Sequence, residues 1–136
     1  MPEPHFTLDE ANAALTELRP VAERMVELRR SLGDALARRT SVQGRIAGNG
    51  GGLGATEVAE LDAEIEQLGA AVGACVERIA ADGVHVKDVE LGLLDFPSSR
   101  DGREILLCWH VGEDEIEYWH GLDEGFAGRK PVDFVE

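Results

Sequence analysis

Apolar residues recur at helical spacing from Leu8 to Ile46, where most steps are three or four residues. This pattern predicts a helix over residues 7–46. Thr7 and Glu10 have the types and spacing of a capping box, which places the helix start at Thr7. Because Pro20 lacks a backbone N–H, we expect a short helix to about Arg19 and a kink or restart at Pro20.

A second helix is predicted over residues 56–82, after a glycine-rich linker at 47–55. Its apolar positions from Val58 to Ile79 alternate steps of three and four, as in helices packed lengthwise. The two helices therefore form an antiparallel helical hairpin. Because two helices alone leave outer apolar positions uncovered, either the rest of the chain packs on them, or two hairpins join, or both. We predict a homodimer through the hairpin.

The helical period stops at Gly83, and alternating apolar and polar residues follow. They predict a three-stranded antiparallel β-meander over 84–121, with turns at 97–102 and 112–115. The tail, 122–136, is expected to be irregular. Residues 1–136 are thus predicted to form one domain of the α+β class, a helical hairpin with its first helix kinked and then a small meander.

Charge and composition exclude several classes of protein. With 13 basic and 27 acidic side chains the net charge is −14, which disfavours binding to nucleic acid or to an anionic membrane. The first helix is Arg-rich and nearly neutral while the second is acidic, so we expect opposite charges to face each other. No apolar run approaches the roughly 18 residues of a membrane span. The first residues lack the pattern of a secretion signal, so we expect a cytoplasmic protein in which Cys75 and Cys108 form no disulfide.

The raw material of a metal site lies on the predicted strands. Cys108 and His110 share one face of a strand, and His120 lies on the next strand. A four-residue turn at 112–115 points His120 away from them, whereas a turn one residue shorter or longer, or a bulge, brings all three and Tyr118 together. In the second register we expect a Zn²⁺ or Fe²⁺ site with Cys108, His110 and His120 as ligands and Glu117 or Asp95 as the carboxylate.

A second group of candidates is ionic. Asp95 lies in an apolar stretch, and if it is buried it needs a partner, which Arg129 in the glycine-rich tail could supply. One interpretation is a buried salt bridge between Asp95 and Arg129 that fixes the tail. The other is a cleft lined by Asp95, His120 and Arg129 that binds a small anionic or polar ligand.

Several short motifs together resemble a known family. They are Phe6-Thr7-Leu8-Asp9-Glu10-Ala11-Asn12, Leu18-Arg19-Pro20, Asp95-Phe96-Pro97, Leu107-Cys108-Trp109, Gly112-Glu113, Trp119-His120 and Gly125-Phe126-Ala127-Gly128-Arg129. The series is similar to that of the family called domain of unknown function 2203. The resemblance covers nearly the whole chain and implies a bacterial, cytoplasmic protein, but it brings no established activity.

The sequence therefore leaves two functional hypotheses. The first is a non-catalytic interaction or scaffold module that self-associates through the hairpin, because the apolar stripes are its strongest signal. The alternative is a metal-binding protein or metal-dependent enzyme with a Cys/His/carboxylate site on the C-terminal strands.

Overall fold

A computed structural model describes residues 5–49 and 54–133, in which two long helices precede an antiparallel sheet. Helix α1 spans Leu8–Asn49 and helix α2 spans Gly54–Ala81. The strands are β1 His85–Asp88, β2 Leu93–Arg100, β3 Arg103–His110, β4 Tyr118–Gly121 and β5 Lys130–Pro131, and a 3₁₀ turn spans Phe126–Gly128. The α+β fold class predicted from the sequence is confirmed.

The first helix begins at the predicted capping box. The amide of Glu10 donates to Thr7 Oγ1 at 3.0 Å, and the amide of Thr7 donates to Glu10 Oε1 at 2.9 Å. The segments expected on either side of Pro20 form one continuous helix. Pro20 is exposed, whereas Leu18 and Ala22 beside it are fully buried. The helix therefore does not restart at Pro20, and we infer that packing on both sides of the proline offsets the missing hydrogen bond.

The two helices pair along the predicted apolar seam, and opposite charges face each other beside it. Ala35, Val42 and Leu61 are buried in the seam. Arg38 contacts Glu64 at 3.0 Å, Arg45 contacts Glu57 at 3.3 Å, and Arg39 pairs with Asp62. The described parts of the expected linker belong to the helices, and residues 50–53 lie outside the described chain. Neither helix, over its described residues, has the length and apolar character needed to cross a membrane.

Over the described residues the sheet has five antiparallel strands in chain order, two more than the sequence predicted. Pro97–Arg100, expected as a turn, continues β2, and the tail supplies β5. Pro97 fits a strand because its carbonyl points away from β3 and accepts a hydrogen bond from the amide of Phe6 at 2.7 Å. In an antiparallel strand the N–H of a residue lies on the same side as its C=O, so the proline costs the β2–β3 pairing no bond.

The β2–β3 hairpin turns at two residues that both have positive φ, Asp101 at 53° and Gly102 at 79°. A two-residue hairpin turn of type I′ requires positive φ at both residues, and its twist matches that of the two paired strands. The start of α1 is also fastened to β2, since Ser98 Oγ donates to the carbonyl of Phe6 and the rings of Phe6 and Phe96 pack edge to face.

Both faces of the two long strands are buried. The helix face packs on α1 and α2 and forms the hydrophobic core with Leu15, Leu18, Met25, Ile79, Leu94, Phe96, Ile105, Leu107 and Trp109. The opposite face, which we call the second face, is also shielded from solvent, and its buried residues are Leu93, Asp95, Pro97, Leu106, Cys108 and His120. A buried sheet face that carries an acid, a thiol and an imidazole is a candidate functional site.

Candidate metal centre

The register of β3 and β4 decides which polar residues share the second face. Cys108 pairs with Tyr118 and Leu106 pairs with His120. This is the register in which Cys108, His110, Tyr118 and His120 point the same way, rather than the register of a four-residue turn. The connection is a loop over residues 111–117, in which buried Ile116 donates its amide to Asn12 Oδ1 on α1 at 2.9 Å.

Asp95, Cys108 and His120 form the centre of the second face, one from each of β2, β3 and β4. Asp95 stands directly opposite Cys108, and His120 lies diagonally across from Cys108. One possible ligand atom from each residue lies within 4.8 Å of the other two. The three residues are 1%, 0% and 2% exposed, so the cluster is closed to solvent.

The hydrogen bonds of His120 determine how many protons the cluster holds. Nδ1 lies 2.9 Å from the carbonyl oxygen of Gly121, which can only accept, so Nδ1 carries a proton. Nε2 lies 3.0 Å from Asp95 Oδ1, and that contact needs a second proton on one of its two atoms. The pair is therefore either imidazolium with carboxylate or imidazole with carboxylic acid. Both forms have no net charge, which makes burial tolerable.

The thiol of Cys108 is kept in its neutral form. Burial, and after it the charge of Asp95, raise the pKa of Cys108 to about 12, and the charge of Arg129 opposes the shift. Because the thiolate is the reactive form, Cys108 is a poor nucleophile. Both ring nitrogens of His120 are engaged by Asp95 and Gly121, so the cluster lacks the Cys–His pair of a thiol hydrolase.

The donor set fits a small divalent cation. Thiolate, imidazole and carboxylate are the ligand types of Zn²⁺, and tetrahedral bonds of 2.0–2.3 Å place ligand atoms about 3.3–3.8 Å apart. The separations in the cluster need only small side-chain movements to reach that geometry. A bound cation would take the place of the thiol proton and of the proton between Asp95 and His120 Nε2, while Nδ1 would keep its proton and its bond to the Gly121 carbonyl.

Two of the residues expected as metal ligands lie outside this cluster. His110 is on the second face, but its Nδ1 lies 2.8 Å from the carbonyl of Val111 and its Nε2 lies 3.8 Å from Glu113. Glu117 is exposed in the 111–117 loop, where its carbonyl accepts from the amide of Val132. Glu117 directly precedes Tyr118, which is on the second face, and successive residues alternate between faces, so Glu117 is not on it. Cys108, His120 and Asp95 are the predicted residues that the fold brings together.

Arg129 also has a different partner from the one expected. Its guanidinium contacts both carboxylate oxygens of Glu113, at 2.7 and 2.8 Å, instead of Asp95. It lies over the ring of Tyr118, the residue opposite Cys108, and donates to the Cys108 carbonyl at 3.3 Å. Asp95 is paired with His120, so the expected Asp95–Arg129 bridge is not formed.

Glu113 is a residue that the sequence reasoning missed. Besides Arg129, its carboxylate accepts from the amide of His110, and its carbonyl accepts from Trp109 Nε1 and from Arg19 on α1. Glu113 therefore links α1, β3 and the tail. Its place in the Gly112-Glu113 motif was a signal, but these partners are distant along the chain or reached through backbone atoms, so spacing does not reveal them.

Comparison with known proteins adds a family and no activity. No curated protein and no solved structure matches the chain. A family model described as an uncharacterized conserved protein, DUF2203, matches residues 5–132. That range includes the hairpin, all five strands and the whole Asp95–Cys108–His120 cluster. The chain therefore belongs to the DUF2203 family.

Proposed function

We propose that this protein binds one divalent metal ion through Asp95, Cys108 and His120. A single observation carries the proposal: an oxygen, a sulfur and a nitrogen donor from three adjacent strands lie within 4.8 Å of one another in a buried site. A buried acid, thiol and imidazole cost free energy unless they are paired or coordinated. A metal ion would satisfy all three residues together and join three strands at one point.

Zn²⁺ is the first candidate and Fe²⁺ the second. A mixed sulfur, nitrogen and oxygen set is common at zinc sites, and imidazole and thiolate also suit iron. Because the three residues are at most 2% exposed, we assign the ion a structural role rather than a catalytic one. We also propose a cytoplasmic location, which the free state of Cys75 and Cys108 supports.

The test is elemental analysis of untagged protein purified without chelator or metal resin. We expect about one equivalent of zinc or iron per chain in the wild type, and loss of the metal in Asp95→Asn, Cys108→Ser and His120→Gln. His110→Asn is the matched control, because His110 lies on the same face outside the cluster and its loss should leave the metal content unchanged.

Binding must also stabilise the fold, since an ion that binds only the folded state shifts unfolding by mass action. Adding Zn²⁺ to metal-free wild type should raise Tm, and it should leave Tm of the three ligand variants unchanged. Metal-free wild type that takes up neither ion in solution would overturn the proposal.

The hairpin favours a second candidate function, self-association. The core that joins the helices to the sheet ends at Leu28 on α1 and Val72 on α2, so about 30 Å of hairpin extends past it. Leu36, in that extension, is 43% exposed. We propose a second copy of this chain as the partner: antiparallel pairing would bring exposed cations such as Arg30 near exposed acids such as Glu66 of the other copy.

Light scattering at tens of micromolar protein tests this second candidate. We expect a dimer mass for the wild type and a monomer mass for Leu36→Glu. The control is Leu91→Glu, because Leu91 is 49% exposed and lies between β1 and β2 rather than on the hairpin. A monomer mass for the wild type would contradict the self-association hypothesis and leave the metal proposal intact.

A further inference from the structure

The segment that follows β4, residues 122–131, contacts the side of the sheet that holds the metal ligands through Phe126 and Arg129, and it ends in β5 at the edge of the sheet. We call this segment the strap. Glu124 accepts the amide of Gly121, directly after His120, at 2.8 Å. The ring of Phe126 lies 5.8 Å from the ring of His110, and Arg129 covers Tyr118 with 4.1 Å from its guanidinium carbon to the ring centroid. The strap therefore passes beside His120 and over the neighbours of Cys108.

The strap buries little side-chain surface. Residues 122–127 are exposed, and its strand β5 has only two residues. Besides the pairing of β5 with β4 and the ring contacts of Phe126 and Arg129, the strap is attached by the Arg129–Glu113 pair, whose side chains are 11% and 16% exposed. Lys130 contacts Glu124 within the strap itself at 2.6 Å. A segment with little buried apolar surface opens at a lower free energy than the core does.

The attachment is also incomplete. The Nε of Arg129 is buried and has no hydrogen-bond partner among the described residues. An unsatisfied buried donor regains hydrogen bonds with water when the segment lifts away, so it lowers the cost of opening. The attachment therefore combines a largely buried ion pair, in which Nη2 of Arg129 contacts both carboxylate oxygens of Glu113, with one unpaired donor, so it can form and break.

We propose that the strap is a gate over the Asp95–Cys108–His120 cluster and that the Arg129–Glu113 pair is its latch. Opening of the strap admits reagents and metal ions to the cluster without unfolding of the helix–sheet core. The part of this inference that concerns metal entry rests on the proposed function, whereas the opening of the strap does not.

Alkylation of Cys108 in metal-free protein measures the opening directly. Iodoacetamide is added under native conditions, and mass spectrometry assigns the label to each cysteine. Cys75 is the internal reference, because it lies on α2 in the core between helices and sheet, away from the strap, and is labelled only when that core opens. For Arg129→Met, which keeps bulk and removes charge, we expect Cys108 to be labelled roughly tenfold faster and Cys75 at an unchanged rate.

In Arg129→Met, the loss of charge and the opening of the strap change the alkylation rate of Cys108 in opposite directions. The positive charge of Arg129 lowers the pKa of Cys108, so its removal alone would raise that pKa and slow alkylation. Faster labelling therefore reports opening and not a more reactive thiol. Glu113→Gln should act through the same latch, so the double variant should be labelled no faster than the faster single variant. Arg45→Met, at a distant exposed ion pair, is the control and should change neither rate.

Two labelling results would overturn the gate. One is a Cys108 rate in Arg129→Met that does not exceed the wild-type rate. The other is a parallel rise at Cys108 and Cys75, which would show that the whole core opens rather than the strap.

A second experiment applies the gate to the metal. Zinc-loaded wild type and Arg129→Met are mixed with excess chelator, and we expect metal loss to be roughly tenfold faster in the variant. Equal rates of metal loss in the two proteins would contradict the proposal that the strap controls metal exchange. If the wild type holds no metal at all, the proposed function fails, and the labelling experiment still decides whether the strap is a gate.

Discussion

The hairpin and the sheet differ in where they place their charged and polar groups. On the hairpin, apolar residues repeat regularly and charges lie outside, where Arg38 and Glu64 pair with 59% and 46% of their side chains exposed. On the sheet, both faces of β2 and β3 are buried, and polar groups are enclosed as Asp95 and His120 are. Exposed pairs contribute little to stability, whereas breaking a buried pair is costly. The apolar repeat of the hairpin thus indicates how the helices pack, whereas buried polar residues that interrupt the apolar pattern of the strands indicate the candidate site.

The sharpest test of this comparison removes one acid from each region. In metal-free protein, Asp95→Ala should lower the free energy of unfolding by about 3–5 kcal/mol, because His120 loses its buried partner. Glu64→Ala on the hairpin should cost about 0–1 kcal/mol, because its pair with Arg38 is exposed. Urea denaturation measures both values. Similar losses in the two regions would contradict the contrast.

A second test addresses the contact between α1 of the hairpin and the sheet at Gly92. Gly92 has a φ of +65°, and a Cβ there would lie 2.5 Å from Cγ2 of Val111 and 2.9 Å from Cγ2 of Val26 on α1. Gly92→Ala should therefore combine backbone strain with a clash and cost about 2–4 kcal/mol.

Gly102→Ala is the matched control for this contact. Gly102 has a φ of +79° with no atom within 4 Å of the added Cβ, so its substitution should cost only the backbone strain, about 1 kcal/mol. The difference between the two melting temperatures reports the close approach of α1 and the sheet. Equal shifts would mean that the side chains around Gly92 give way easily.

The smallest expected effect concerns pH and the buried thiol. The pKa of Cys108 is raised, first by burial and then by the charge of Asp95, from an ordinary value of 9.0 to about 12. A raised folded-state pKa contributes stability that is fully present below pH 9 and is lost as pH rises toward 12. Metal-free wild type should lose stability across that window more steeply than Cys108→Ser does. Chemical denaturation at each pH measures both, and identical slopes would contradict a thiol held neutral in the fold.

The helices were predictable because their signals are local. The Thr7–Glu10 cap and the apolar seam follow from spacing alone, and both are found in the structure. The continuity through Pro20 was not predictable, since the buried residues on either side of it stabilise the helix through tertiary contacts.

The candidate site was predictable as residue types but not as an arrangement. Which side chains share the second face depends on the β3–β4 register, and that register is set by an irregular loop. Glu113 and Asn12 anchor the loop through side-chain bonds to backbone amides of residues 110 and 116. A bond from Asn12 on the first helix to residue 116 leaves no local trace in the sequence. The pairing of Arg129 with Glu113 rather than Asp95 follows from the same loop.

The fastening of Phe6 to β2 has a consequence for the order in which the chain folds. The hairpin is made of contacts between helices that follow one another, whereas the bond from Ser98 to Phe6 joins residues 92 positions apart. Loop closure over such a distance is slow compared with helix formation. During synthesis the hairpin can therefore assemble first, while the beginning of α1 stays unattached until β2 has emerged. The start of α1, made before the sheet, is therefore secured only after β2 has formed.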